Sequence, residues 1–234
     1  MASGRLDTPA PSRQPSPPPL RLVYLGWMAY LDAWRVQQQY ATARREQRIG
    51  DHLLLVRHPP TLCTGVLGKD EHVQISEADR QALGLPYHRS DRGGDVMYVG
   101  PGQVIAYPIL SLPQRGLDPI EYLRTLEAIV IETLADFGIA GTREPGLTGV
   151  WVNGAKIAGV AIRVAGGVTT HGFNLNVCPD LAWFRHIVTC GNRGREVTSM
   201  ERVLGYPVNA AFVDWRVAHH AMKVLKGVDG TPPP

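Results

Sequence analysis

Residues 148–177 restrict the fold more than any other part of the chain, because their pattern is that of three strands joined by two tight turns. Asn153-Gly154 is the strongest short hairpin signal, and apolar runs lie on both sides of it. Gly166-Gly167 makes a second turn into a further strand-like run that ends at Val177. These features predict a three-stranded antiparallel meander.

Strand alternation predicts which side chains of this meander share a face. Lys156 is in phase with Ala158 and the apolar residues after it, and His171 is in phase with Phe173. Unless a bulge shifts the register, both polar side chains lie on the apolar face. No Asp or Glu lies between residues 145 and 179 to pair with the lysine. Lys156 is therefore either a strand-end lysine whose stem is buried or a partly buried functional lysine.

Helical spacing and short apolar runs alternate irregularly along the rest of the chain. The Asp118-Pro119 pair, an apolar stripe and a final Gly138 predict the clearest helix. Helices are also predicted at 30–48, 76–83 and 209–226, and short strands at 20–25 and 53–56. The absence of regular βα alternation predicts one α+β domain (α/β in some schemes), with a mixed, largely antiparallel sheet flanked by helices.

Composition excludes several classes of protein. Of the 19 prolines, six lie in the first 20 residues and three end the chain, so we expect disordered tails at 1–19 and 228–234 around a domain at 20–227. The sequence contains no run of ~18 apolar residues, so no membrane-spanning helix is predicted. The net charge is +3 without long Lys/Arg runs, which disfavours a nucleic-acid partner. Three cysteines without a CxxC pattern favour free thiols in a reducing cytoplasm.

A thiol is the strongest candidate for chemistry. The histidines are scattered and no HExxH motif or Cys/His cluster occurs, so no metal site is predicted. Cys63 and Cys178 are typical of buried thiols, whereas Cys190 follows an apolar run and begins a loop rich in glycine and arginine. Such a loop can hold a thiolate and present N–H groups to an oxyanion. A cysteine hydrolase with His171 or His186 as its base is a weaker alternative.

Several motifs, in their order and spacing, resemble the lipoyl(octanoyl) transferases. They are RGGDVMYVGPGQ from Arg92, GVWV from Gly149, KIA from Lys156, HGFNLN from His171, and Cys190-Gly191. The resemblance covers residues 20–226 and implies the fold of the lipoate- and biotin-protein ligases. It also implies octanoyl transfer from acyl-carrier protein to a lysine of the lipoyl domains of 2-oxoacid dehydrogenases and of glycine cleavage H protein, without a cofactor.

The same resemblance implies roles for individual residues. Cys190 matches the nucleophile that carries the acyl thioester, and Lys156 matches the lysine that lowers the pKa of that thiol. The matched acyl-binding positions are Arg92, Gly93, Gly94, Asp95, Val96, Met97, Tyr98, Val99, Gly159, Val160, Ala161, Gly172, Phe173 and Asn174.

Four positions depart from the family pattern. Val99 stands where the family has His, Met97 where Thr is usual, and Thr189 where Pro is common before the cysteine. The segment Gly159-Val160-Ala161-Ile162 replaces the usual Ala-Ile-Gly-Val. The change at Val99 concerns acyl-chain length or rate and leaves the Cys/Lys pair intact. The alternatives are an ATP-dependent lipoate or biotin ligase, and a relative that only binds acyl carriers or lipoyl domains.

Overall fold

The computed structural model describes residues 18–188 and 195–225. Its strands are β1 (Leu20–Trp27), β2 (Asp51–Arg57), β3 (Thr61–Thr64), β4 (Tyr87–Arg89), β5 (Val96–Val99), β6 (Gln103–Ile109), β7 (Val150–Val152), β8 (Ala155–Ala165) and β9 (Val168–Asn176). Its helices are α1 (Tyr30–Arg45), α2 (Glu77–Ala82), α3 (Leu112–Arg115), α4 (Pro119–Ala135), α5 (Met200–Leu204) and α6 (Ala210–Val224). Most of the two predicted tails lies outside the described residues.

The strands form two sheets. The larger has the order β1-β2-β6-β9-β8-β7, and only its β1–β2 pair is parallel. The smaller has the order β4-β3-β5. The predicted meander is confirmed as β7, β8 and β9, and so is the predicted α+β class with a largely antiparallel sheet.

Local capping explains where α4 and α6 begin. The Asp118 carboxylate accepts hydrogen bonds from the backbone N–H groups of Ile120 and Glu121, and the Glu121 carboxylate accepts one from the Asp118 N–H. This capping box and Pro119 in the first turn fix the start of α4 where the sequence predicted it. The Asn209 side-chain oxygen accepts hydrogen bonds from the backbone N–H groups of Ala211 and Phe212 and so caps α6, without a reciprocal bond. Within the described residues, no helix is long and apolar enough to cross a membrane.

Two layers of helices cover the larger sheet. Helices α4 and α6 pack on one face, where Leu126 and Val217 meet Leu175 in a continuous apolar core. Helix α1 and the smaller sheet pack on the other face, where Ala33 lies in a second core with Tyr107. We call these the α4/α6 face and the α1 face.

The predicted face of Lys156 is wrong, because β8 contains a bulge. Val150 pairs with Ala158 but Trp151 pairs with Lys156, so Ile157 is an extra residue in β8. Both Ile157 and Ala158 join the core under α4 and α6. The Lys156 side chain lies instead with Trp151 on the α1 face, its ammonium 5.4 Å from the ring centroid.

The predicted face of His171 is also wrong, for a different reason. Its φ of 57° is left-handed, a conformation that side chains other than glycine rarely adopt. The imidazole consequently lies toward α1, with its centroid 6.2 Å from that of Trp34 and 6.3 Å from that of Tyr107. The Gln37 side-chain oxygen, from α1, accepts a hydrogen bond from the His171 N–H at 2.7 Å and stabilises this backbone.

Candidate active site

The backbone of Lys156 is bonded to the segment that follows residue 194. Its N–H donates to the Glu196 carbonyl at 2.8 Å, and its own carbonyl accepts from the Thr198 N–H at 2.9 Å. Lys156 and Val197 thus form a short parallel bridge at the bulge. The side chain is buried, with 8% of its surface exposed. Lys156 is thus held at a junction between β8 and the chain after the predicted cysteine loop.

A cavity opens beside Lys156, with about 300 Å³ of empty space that includes its solvent-open mouth. Its walls are largely apolar and come from β5, β8, β9 and the segments at residues 184–187 and 197. The lining residues are Met97, Tyr98, Lys156, Ala158, Gly159, Asn174, Asn176, Phe184, Ile187 and Val197. We call it the lysine cavity. Cys190, the predicted nucleophile, lies outside the described residues.

A second cavity, whose empty space of about 300 Å³ also includes space open to solvent, adjoins the first and shares Met97 and Asn174 with it. It lies on the α1 face between the two sheets, and we call it the inner cavity. Its lining residues are Tyr30, Cys63, Arg92, Met97, Val99, Ile105, Tyr107, Ala161, His171, Gly172, Phe173 and Asn174.

The two cavities together contain nine of the predicted acyl-binding positions. These are Arg92, Met97, Tyr98, Val99, Gly159, Ala161, Gly172, Phe173 and Asn174. The other five line neither cavity. The Gly93 N–H donates to the Ile162 carbonyl, the Gly94 carbonyl accepts from Leu67, and the Asp95 carboxylate contacts His72. Val96 belongs to the small-sheet core and Val160 to the α4/α6 core.

Close packing at Gly159 shapes the junction of the two cavities. Its N–H donates to the Asn174 side-chain oxygen at 2.9 Å. A Cβ at this position would lie 2.6 Å from that oxygen and 2.7 Å from Cε of Met97. Only glycine fits without displacing Asn174 or Met97, the two side chains that line both cavities.

Arg92 brings a guanidinium to the inner cavity. It is 3% exposed, and one Nη donates to the Cys63 carbonyl at 2.7 Å and lies 3.3 Å from the Cys63 sulfur. Its Nε has no hydrogen-bond partner among the described residues. The buried position of Cys63 agrees with the sequence-based expectation, but its place in the cavity wall was not foreseen.

Two buried histidines form hydrogen bonds at or beside the inner cavity. Burial lowers the pKa of His58 to about 4, so its imidazole is neutral at pH 7. Its Nδ1 lies 2.7 Å from the Met28 carbonyl, so Nδ1–H donates there and Nε2 accepts from the Tyr107 hydroxyl at 2.9 Å. Burial likewise lowers the pKa of His171, although Asp91, 2.8 Å from its Nε2, opposes the shift.

Sequence reasoning did not find the α1-side lining residues Tyr30, Ile105 and Tyr107. Tyr30 lies far from the matched motifs, whereas Ile105 and Tyr107 closely follow the motif that ends at Gln103. Only the packing of α1 against β6 brings all three to the cavity. Within the described residues, no three His, Cys, Asp or Glu side chains cluster in a way that would hold a metal ion.

Comparison with known proteins identifies the family. Residues 29–221 match the lipoyl protein ligase A/B catalytic domain. An octanoyltransferase of Chloroflexus aurantiacus is 50% identical over 80% of this chain and 85% of its own, and one of Roseiflexus sp. is 48% identical over 88% and 87%. A bi-partite lipoate protein ligase from Thermoplasma acidophilum, 16% identical, shares the fold with a TM-score of 0.69 over 91% of this chain and 86% of its own. The chain belongs to the lipoyl protein ligase A/B catalytic-domain family and, within it, to the octanoyltransferases, and is an acyltransferase that moves octanoyl groups.

Proposed function

We propose that this enzyme takes an octanoyl group from octanoyl-acyl-carrier protein onto Cys190 as a thioester and then passes it to a lysine of a lipoyl domain. The observation that carries the proposal is the position of Lys156. Its buried side chain lines a cavity whose wall includes Ile187 and Val197, the residues on either side of the cysteine loop. At ~3.5 Å per residue, three residues place the Cys190 Cα within about 11 Å of that of Ile187.

The reaction has two half-reactions that balance without ATP. The Cys190 thiolate attacks the donor carbonyl, a new C–S bond forms, and the carrier thiolate leaves and takes up the proton that the cysteine gave up. The acceptor lysine amine then attacks the acyl-cysteine. An amide forms, the amine loses a proton, and the Cys190 thiol is regenerated. The donor thioester supplies the activation that a ligase obtains from ATP.

Lys156 supplies positive charge to both steps. At an effective dielectric of ~20, a cation ~4 Å from a thiolate stabilises it by about 4 kcal/mol, equivalent to about 3 pKa units. The same ammonium can donate a hydrogen bond to the oxyanion of the tetrahedral intermediate. The Lys156 ammonium lies 5.4 Å from the centroid of the Trp151 ring, whose quadrupole attracts a cation.

The acyl chain occupies the two adjoining cavities. In this arrangement the carbonyl lies in the lysine cavity, and the alkyl tail passes Met97 and Asn174 into the inner cavity toward Val99 and Phe173. The apolar walls favour burial of the alkyl chain by about 0.8 kcal/mol per CH₂. This use of the cavities matches the acyl-binding positions implied by the motif resemblance.

The acceptors are proposed to be the lipoyl domains of 2-oxoacid dehydrogenases and glycine cleavage H protein, in the cytoplasm. The archaeal ligase of the same fold is described with its E2 lipoyl domain, which supports a lipoyl domain as the acceptor. Residues 20–227 form the catalytic domain in this proposal, with tails at 1–19 and 228–234.

The test is the intact mass of the protein after mixing with octanoyl-acyl-carrier protein in the absence of ATP. We expect the gain of one octanoyl group, which hydroxylamine releases and which Cys190→Ser abolishes. Cys178→Ser is the matched control and keeps the adduct. Modification of a lipoyl domain only with ATP and free octanoate would instead establish a ligase. No adduct and no transfer under either condition would establish a binding relative.

A further inference from the structure

The Lys156 side chain packs directly against the backbone of Gly149. A Cβ built on Gly149 would lie 2.9 Å from Cε of Lys156 and 3.5 Å from its Nζ. The same Cβ would lie 2.4 Å from the Ala158 carbonyl oxygen, and φ at Gly149 is +123°. The missing side chain therefore leaves the space through which the end of the lysine passes.

Glu127 fixes the peptide that forms this wall. Its carboxylate is fully buried on α4, and Oε1 accepts a hydrogen bond from the Gly149 N–H at 3.0 Å. Oε2 accepts from Nη1 of Arg124 at 2.7 Å and from Nε of Arg143 at 3.0 Å. A buried carboxylate with donors on both oxygens is fixed in one orientation, since losing any donor would leave a buried charge undersatisfied.

Lys156 is consequently confined on two sides. The Gly149 backbone contacts Cε, and the Trp151 ring lies 5.4 Å from Nζ. Trp151 is the cross-strand neighbour of Lys156, whereas Gly149 is tied to α4 through Glu127. The position of the ammonium thus depends on a carboxylate that belongs to the opposite face of the sheet.

We infer that Gly149 and Glu127 are positioning residues for the Lys156 ammonium, an inference that rests on the proposed function. They act through Lys156 and touch no reacting atom. Their contribution is the placement of a cation, and a displacement of about 1 Å at a reacting centre costs on the order of 100-fold in rate.

A double-mutant cycle on the full chain tests the inference. The single-turnover rate of octanoylation by octanoyl-acyl-carrier protein is measured for Gly149→Ala, Lys156→Ala and the double variant. We expect Gly149→Ala to slow the wild type about 100-fold, but to slow the Lys156→Ala enzyme by about twofold or less. Equal losses in the two backgrounds would overturn the inference, because a purely structural defect is independent of the lysine.

Gly154→Ala is the matched control, since Gly154 also has a positive φ of +79° but has nothing within 4 Å of the place that a Cβ would occupy. We expect it to lose less than about threefold in rate, because only backbone strain changes. A loss as large as that of Gly149→Ala would contradict a role specific to Lys156.

Glu127→Ala provides a second variant if Gly149→Ala fails to fold. Its cycle with Lys156→Ala must show the same non-additivity, and Glu127→Gln, which retains an oxygen acceptor for the Gly149 N–H, must recover part of the rate. An additive cycle, or no recovery, would overturn the inference. A Lys156→Ala enzyme that reacts at the wild-type rate would contradict the proposed function itself, which is a different outcome.

Discussion

The two faces of the larger sheet are packed in different ways. Under α4 and α6 the core is an almost unbroken layer of aliphatic and aromatic side chains, and Glu127 is a buried charge at its margin. The α1 face buries Arg92, His58, His171 and Lys156 among its apolar residues. Burial of a polar or charged side chain costs free energy unless the side chain is hydrogen-bonded or paired. In the proposed mechanism, one face therefore provides stability and the other holds the chemistry.

Two local irregularities bring polar side chains to the α1 face. The bulge at Ile157 turns Lys156 away from α4, and the left-handed backbone at His171 turns its imidazole toward α1. Regular strands would have placed both side chains in the α4/α6 core. Departures from strand geometry thus build the candidate site, and bulges are over-represented beside active sites.

The largest expected effect comes from removing the cation of the α1 face. Lys156→Ala should lower the single-turnover rate of octanoylation by about 10³-fold, or about 4 kcal/mol, because the thiolate and the oxyanion lose their stabilising charge. Lys223→Ala, which removes an exposed lysine from α6, is the control and should react at the wild-type rate. A Lys156→Ala rate within about threefold of wild type would remove the main distinction between the faces.

Truncation on the α4/α6 face should affect stability instead. Leu126 is fully buried between α4 and the sheet, so Leu126→Ala should lower the free energy of unfolding by about 3 kcal/mol. Urea unfolding measures this loss. The octanoylation rate per folded molecule should stay within about twofold of wild type. A large loss of rate at unchanged stability would show that the two faces are not separated in function.

Acid should destabilise the protein through the buried histidines of the α1 face. His58 has its pKa lowered from 6.5 to about 4, so the unfolded chain binds a proton at pH values where the native protein does not. Its contribution is complete above pH 6.5 and is lost as the pH falls to about 4, a change of about 3 kcal/mol. His58→Asn should flatten the fall in urea stability between pH 6.5 and 4. An unchanged slope would contradict a neutral His58.

The smallest expected effect concerns substrate choice in the inner cavity. Val99 is buried in the cavity wall, so Val99→His adds volume and a polar group there. The ratio of rates for octanoyl and longer acyl donors should change by a few fold, or about 1 kcal/mol. Val66→His is the control, since Val66 is 65% exposed and lies in neither cavity. Equal ratios in wild type and Val99→His would place this residue outside the acyl path.

Local signals predicted much of the fold. Asn153-Gly154 marked the β7–β8 hairpin, and Asp118-Pro119 marked the start of α4, because turn and cap geometry depends on a few adjacent residues. The face of Lys156 was not predictable from alternation, since the bulge arises where Lys156 pairs with Val197, a residue 41 positions later. The inner-cavity lining from Tyr30 and Tyr107 depends on packing between distant elements in the same way.

The most direct test of the central claim is the pH profile of Cys190 alkylation, followed peptide by peptide in wild type and Lys156→Ala. Cys178 is an internal reference, because burial raises its pKa independently of Lys156. We expect the Cys190 profile to shift to higher pH by about 3 units in Lys156→Ala while the Cys178 profile stays in place. Superimposable Cys190 profiles in the two proteins would contradict activation of the thiol by the lysine of the α1 face.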